Sequence, residues 1–198
     1  MTRTLLVAGL LSLISINAAV LVAAARANSG QAKPEQTKPD PPKSPAATAH
    51  GADATFMQEA SMSNLAEIEH GRLAAQNAAS DEVKKFGERM AADHGKANET
   101  LKTMAGEKKV TLPTALDQKH QAMQDKLAKM KADAFDKAYM SHMVTAHEQS
   151  VTRFKRESQN GKDPDVKAFA EKTLPTVEEH LKMARELNAK IAKQTVRQ

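Results

Sequence analysis

The apolar residues from position 55 onward recur every three or four positions in four long stretches. This spacing places them on one face of an α-helix. From position 55 onward alanine, lysine, glutamate, methionine and leucine are frequent, and proline occurs only at Pro113, Pro164 and Pro175. These common residue types all favour helix. We therefore predict one all-α domain over residues 55–198.

The boundaries of the helices follow from caps and breaks in the pattern. Ser80 is expected to cap the second helix, and Asp163 the fourth, with Pro164 in its first position. Residues 109–132 form a crossover with a short polar helix that lies outside the core. Two hairpins joined by a long crossover predict a ferritin-like four-helix bundle, with a plain short-loop bundle as the alternative. The four long helices are predicted at about 55–79, 80–108, 133–159 and 163–191.

The first 54 residues differ from this domain. Residues 1–27 hold Arg3, then a long apolar stretch ending in Ala25-Arg26-Ala27, which is typical of a signal peptide cleaved after Ala27. An uncleaved membrane anchor is the alternative. Residues 28–54 contain five of the eight prolines and show no apolar periodicity, which predicts a disordered linker. We expect a periplasmic or cell-envelope protein with no transmembrane span after cleavage.

Composition excludes several classes of function. The chain has no cysteine, so disulfides, thiolate metal sites and thiol nucleophiles are ruled out. The net charge of +5 falls to +3, from 27 basic and 24 acidic residues, without Arg3 and Arg26. With one tyrosine and no tryptophan, this charge argues against nucleic acid as a partner. No phosphate-binding glycine loop or hydrolase motif is present, which favours a non-enzymatic protein.

Four polar residues lie in the middle of the apolar stripes: Glu67, His94, His147 and His180. Residues of an antiparallel hairpin face each other when they are equidistant from its turn. Glu67 and His94 are equidistant from the turn near Ser80, and His147 and His180 from the turn near Asp163. If the crossover returns the chain to the end of the first turn, the rise of 1.5 Å per residue places all four in one layer.

Such a layer has two interpretations. Three imidazoles and one carboxylate suit a single transition-metal ion such as zinc, copper, iron or nickel. The alternative is a buried hydrogen-bonded network that binds nothing. A di-iron site is disfavoured, because it needs a glutamate three residues before each histidine, where Val144 and Val177 stand. The other histidines are expected to be solvated or at the rim: His50, His70, His120 and His142.

Five short motifs, taken together, resemble those of a known protein family. They are AEIEHG at 66–71, MAADH at 90–94, FDKAY at 135–139, MVTAH at 143–147, and Leu174-Pro175 with His180-Leu181. With them, the chain resembles the exported bacterial proteins grouped as domain of unknown function 4142, which are sometimes labelled outer-membrane proteins. The resemblance implies a ferritin-like bundle in the cell envelope. It implies no established activity, and no period-two pattern of a membrane barrel is present.

Three functional hypotheses remain. The first is a non-enzymatic envelope bundle that binds a metal ion or a partner, with the partner expected to be an envelope component. The second is a metal-dependent enzyme, which would use an open coordination position and a solvent path to His94. The third is an envelope interaction or structural module, whose lysine-rich faces meet anionic polymers or membrane surfaces.

Overall fold

The computed structural model describes residues 51–195, and all of the regular structure in that range is helical. The predicted signal peptide and nearly all of the predicted linker lie outside the described residues. No helix within 51–195 is long and apolar enough to cross a membrane. The helices are α1 (Ala52–Asn77), α2 (Asp81–Lys108), α3 (Gln118–Ala128), α4 (Ala132–Asn160) and α5 (Pro164–Thr195).

The first helix begins three residues earlier than the sequence predicted. Its first turn contains Asp53, which is buried and accepts hydrogen bonds from the backbone amides of Lys162 (3.0 Å) and Asp163 (3.1 Å). These contacts join the start of α1 to the turn between α4 and α5. A tertiary contact of this kind leaves no periodic signal, so the sequence pattern placed the boundary too late.

The four long helices form two hairpins, in which α1 packs along α2 and α4 packs along α5. The hairpins meet through contacts of α1 with α4 and of α2 with α5. The segment between α2 and α4 returns the chain to the end where the first turn lies. There Asp136, near the start of α4, accepts hydrogen bonds from the backbone amides of Ala79 (3.1 Å) and Ser80 (2.9 Å).

The start of α2 is stabilised differently from the prediction. Ser80 occupies the N-cap position, as expected, but its side chain makes no capping hydrogen bond. The carboxylate of Asp136 instead accepts from the amides of Ala79 and Ser80 at this helix start. Its negative charge also interacts favourably with the positive end of the helix dipole. A side chain of α4 therefore stabilises the start of α2. By contrast, Asp163 caps α5 as predicted, by accepting from the backbone amide of Val166 (3.2 Å).

Two apolar clusters fill the interior, one toward each end of the hairpins. The first contains Phe86, Phe135 and Tyr139, and the second contains Phe56 and Phe154. The predicted polar residues lie between these clusters along every long helix.

The crossover contributes to the core, contrary to the prediction. Leu127 of α3 is fully buried in the first cluster, with Met123 and Met130 packed at its edge. The short helix also lies against α1 and α4. Its polar composition hid this role, because a single buried leucine does not produce an apolar stripe.

Candidate metal centre

One polar side chain from each long helix reaches the space between the two apolar clusters. Glu67 of α1, His94 of α2, His147 of α4 and His180 of α5 are all buried, and none is more than 6% exposed. The ring centroids of the three histidines are 5.3, 5.5 and 5.6 Å apart, so the rings form a nearly equilateral triangle. One nitrogen of each ring lies within 4.8 Å of the corresponding nitrogen of the other two.

Glu67 closes this triangle from the side of α1. Its Oε2 atom lies 2.9 Å from Nε2 of His94 and 3.2 Å from Nε2 of His147. The structure thus brings together all four residues that the sequence pattern placed in one layer.

Each imidazole is held through the nitrogen that faces away from the centre. Nδ1 of His147 donates to the backbone carbonyl of Met143 (3.0 Å), which leaves Nε2 as the free nitrogen. Nδ1 of His94 donates to Oδ1 of Asn64 (2.9 Å), with the same result. These partners fix both the orientation and the tautomer of the rings, in the way that supporting residues do around bound metals.

His180 is held through Nε2 rather than Nδ1. Its Nε2 atom donates to Oδ2 of Asp93 (3.1 Å), so that Nδ1 is the free nitrogen. Asp93 is itself fixed by Nε of Arg89 (3.2 Å), and the same guanidinium binds Glu179 through two hydrogen bonds of 2.8 and 3.1 Å. This chain of charges runs from the surface to the centre, and a carboxylate behind an imidazole raises the basicity of its free nitrogen.

When the ring protons lie on the outward nitrogens, four buried atoms at the centre have no hydrogen-bond partner: Oε2 of Glu67, Nε2 of His94, Nε2 of His147 and Nδ1 of His180. Buried polar atoms nearly always have a partner, because leaving one without costs about 1–3 kcal/mol. With the ring protons on the outward nitrogens, lone pairs of Glu67 and His94 face each other at 2.9 Å. Such a contact is repulsive unless a proton or a metal cation lies between the two atoms.

The charges at the centre are coupled. Burial by itself raises the pKa of Glu67, but His147 and His94 lower it further than burial raises it, so the carboxyl pKa lies well below its usual range. Burial lowers the pKa of His94, while the charge of Glu67 raises it, and the result is a raised pKa. Burial also lowers the pKa of His180 to about 4, with His94 adding to the effect. The layer therefore holds one carboxylate and three imidazoles that compete for a single positive charge.

Several residues at the centre were not identified from sequence. Asp93 directly precedes His94, and its role was missed because its spacing puts it off the apolar stripe. Asn64 lies on the apolar stripe of α1, three residues before Glu67, but a single amide on such a stripe does not by itself indicate a functional role.

The prediction for the remaining histidines was wrong for His70, which is fully buried rather than solvated. Its ring lies 5.1 Å from the ring of His142, measured between centroids. His120 is half-buried, with its Nδ1 atom 2.7 Å from Oδ1 of Asp117. His50 lies outside the described residues. The position of His70 three residues after Glu67 was the available signal, because residues at that spacing share a helix face.

Comparison with known proteins identifies the family. The profile of the Domain of unknown function (DUF4142) matches residues 38–187, which is most of the chain. The protein belongs to this family. No curated protein matches the chain.

Solved structures with a similar fold come from other proteins. A DUF305 fragment from Deinococcus radiodurans has a TM-score of 0.64 at 11% identity and covers 72% of this chain and 98% of its own. CopM in its Cu(II)-bound form has a TM-score of 0.60 at 19% identity and covers 70% of this chain and 96% of its own. CopM in its Cu(I)-bound form gives 0.58 at 17%, with 69% and 95% covered. At these identities the likeness is one of fold.

Proposed function

We propose that this member of the DUF4142 family is a non-enzymatic protein that binds one transition-metal ion, copper(II), between its four long helices. Glu67, His94, His147 and His180 are the proposed ligands. The observation that carries the proposal is the set of four converging buried atoms without a hydrogen bond, one from each ligand. Each imidazole is already oriented by a partner on its other nitrogen, so the ligands are arranged before the ion arrives.

The donor set decides the class of ion. Imidazole nitrogens suit zinc, copper, iron and nickel, whereas magnesium and calcium take oxygen ligands. Among the divalent ions of this group, copper(II) binds a given nitrogen and oxygen site most tightly. The similar fold of CopM, which has been solved with Cu(I) and with Cu(II), also supports copper.

The surroundings favour binding over catalysis. All four proposed ligands are nearly inaccessible, with apolar clusters on both sides of the layer, and Glu67, which borders a neighbouring cavity, is only 2% exposed. A metal enzyme needs an open coordination position that a substrate reaches. We infer a ferritin-like bundle, with the α3 segment as its crossover, and export to the periplasm or cell envelope by the signal peptide expected in residues 1–27. Any partner is then expected to be a component of the envelope.

The test is a copper titration of the tag-free chain. We expect one copper(II) ion per chain by elemental analysis after desalting. Replacing one ligand, as in H180N or E67Q, should reduce the affinity by more than the roughly 10–100-fold typical of supporting residues. H120N is the matched control, since His120 lies outside the four ligands and should keep full stoichiometry.

Circular dichroism of each variant separates loss of the ion from loss of the fold. A folded wild-type chain that retains neither copper nor zinc would contradict the proposal. The layer would then be a proton-sharing network, as the alternative interpretation of the sequence holds.

A further inference from the structure

A cavity of about 760 Å³ lies beside the proposed site, between α1, α4 and the segment that leads into α3. This volume falls within the range of small-ligand pockets in proteins. Glu67 lines the cavity, whereas His94, His147 and His180 do not. The carboxylate of Glu67 therefore stands between the cavity and the three imidazoles.

The cavity wall carries further groups that bind metal ions. His142 lines it, and so do Met62 and Met123. Behind His142 lies His70, which is fully buried and whose two ring nitrogens make no hydrogen bond of ordinary geometry. The backbone of His120 makes only a weak hydrogen bond with His70, so at least one ring nitrogen stays without a partner, which is costly in a buried imidazole. This cost points to a further ligand for the pair, and the two rings are 5.1 Å apart.

Electrostatics favours a cation at this position. Burial, with His142 as the next cause, lowers the pKa of His70 to about 4, and burial also lowers the pKa of His142. Both rings are consequently neutral at pH 7 and have a lone pair to offer. The carboxylate of Glu67 acts on both rings and attracts positive charge toward them.

The opposite side of the layer is less accessible. There His180 is covered by Asp93, and Asp93 is held by the guanidinium of Arg89. A cation that approached from this side would meet the positive charge of Arg89 first. The cavity side presents Glu67. Arg153 and Lys119 also line the cavity, but Arg153 is paired with Glu59 at 2.9 Å and Asp117 lies on the same wall as Lys119.

We propose that the metal ion reaches the buried layer through this cavity, that His142 and His70 bind it on the way, and that Glu67 transfers it to the three imidazoles. This inference rests on the proposed function, since it assumes that the ion binds at the layer. The histidine pair is a second, transient site for the same class of ion, with the thioethers of Met62 and Met123 as soft donors along the wall.

The test compares two tryptophan variants. Thr145 is exposed and lines the cavity, so T145W should obstruct it. Thr100 is likewise an exposed helical threonine whose hydroxyl donates to the carbonyl four residues before it, and it lies on α2, away from the cavity lining. T100W is therefore the matched control. Stopped-flow mixing with copper(II) and competition with a chelator would give the loading and unloading rates.

We expect loading and unloading to slow together in T145W, each by at least tenfold, while T100W behaves like the wild type. The affinity should then be unchanged, because an obstructed route alters both rates by the same factor. H142N should slow both rates as well and should leave the equilibrium stoichiometry and the electron paramagnetic resonance spectrum of bound copper(II) unaltered. If T145W does not fold, Q149W obstructs the same cavity from the same helix.

Unchanged rates in a folded tryptophan variant would overturn the route and leave the buried site standing. A changed copper spectrum in H142N would make His142 a ligand of the final site and overturn its transient role. A wild-type chain that takes up no ion would overturn both proposals.

Discussion

Asp93 supports His180 in the way that Asn64 supports His94, but it does so with a charge. The carboxylate accepts from Nε2 of His180 at 3.1 Å and is itself fixed by Arg89. We expect D93N to lower the affinity for copper(II) by about 10–100-fold, the usual effect of removing such a support. Chelator competition would measure the change.

The matched control for this variant is E88Q, which removes a carboxylate from an exposed position on the same helix. Its affinity should equal that of the wild type. Equal losses in D93N and E88Q would show a general effect of charge and would contradict a specific role for Asp93.

Glu157, near the end of α4, is expected to make the stability of the fold depend on pH. Burial, a hydrogen bond with Asp53 and the charge of Asp53 are the main causes that raise the pKa of Glu157. With a smaller contribution from Asp163 and the opposing charge of Arg156, the resulting pKa is about 7. Between about 4.5 and 7 the folded protein then binds more protons at this site than the unfolded chain. This contribution lowers stability as pH rises through that window.

The variant E157Q cannot ionise and should escape this loss. Relative to the wild type, its unfolding temperature should rise by a few degrees between pH 5 and pH 8, since about 1 kcal/mol shifts a domain of this size by about 2–4 °C. Thermal melts at both pH values would measure it. A constant difference between the two proteins would show that Glu157 titrates normally.

The sequence predicted the positions of the central residues better than it predicted their hydrogen-bond partners. The position of the four central residues was predictable, because equidistance from two turns depends only on helical rise and on the caps. The partners Asp93 and Asn64 were not, since their roles depend on side-chain direction around the helix. His70 was assigned to solvated or rim positions, although its spacing of three residues from Glu67 places it on the same helix face.

Between α1 and α2, the two backbones approach each other closely where Gly71 and Gly87 face each other. A Cβ atom added at Gly87 would lie 2.7 Å from the carbonyl oxygen of Gly71 and 2.5 Å from Cβ of Ala74. Such distances require the helices to move apart, so G87A should destabilise the fold by about 1–3 kcal/mol, the usual cost of overpacking. Chemical denaturation would measure the change.

Gly106 provides the control on the same helix, because a Cβ atom there meets nothing within 4 Å. In G106A the better helix propensity of alanine should stabilise the protein by up to about 1 kcal/mol. The two substitutions are chemically identical and should have opposite signs. A stabilised G87A would mean that the helices are not held at this distance.

The helices themselves were predictable from periodicity, and their starts less so. Asp53 and Asp136 explain the difference, since each satisfies the amides of a turn elsewhere in the chain. Contacts between distant segments determined where α1 begins and how α2 is capped. The role of α3 was misjudged for a related reason, because Leu127 is its only fully buried residue.

Across the whole molecule, the proposed metal centre would join both hairpins through one proposed ligand from each long helix. An ion bound there and not by the unfolded chain adds about 4 kcal/mol of stability at 1,000 times its dissociation constant. We therefore expect copper(II) to raise the unfolding temperature of the wild type by about 10 °C. Differential scanning calorimetry with and without copper would measure the shift, and H180N should show little of it.

The most direct test of the proposed copper site is X-ray absorption at the copper edge of the copper-loaded, tag-free chain. The proposed site should show three imidazole nitrogens and one oxygen at about 2.0 Å, with no sulfur at about 2.3 Å, distances typical of such bonds at zinc. A sulfur neighbour would place the ion among the methionines of the cavity or the core. A shell of oxygens with fewer than two imidazoles would mean that the ion never reaches the buried layer, and either spectrum would contradict the site proposed here.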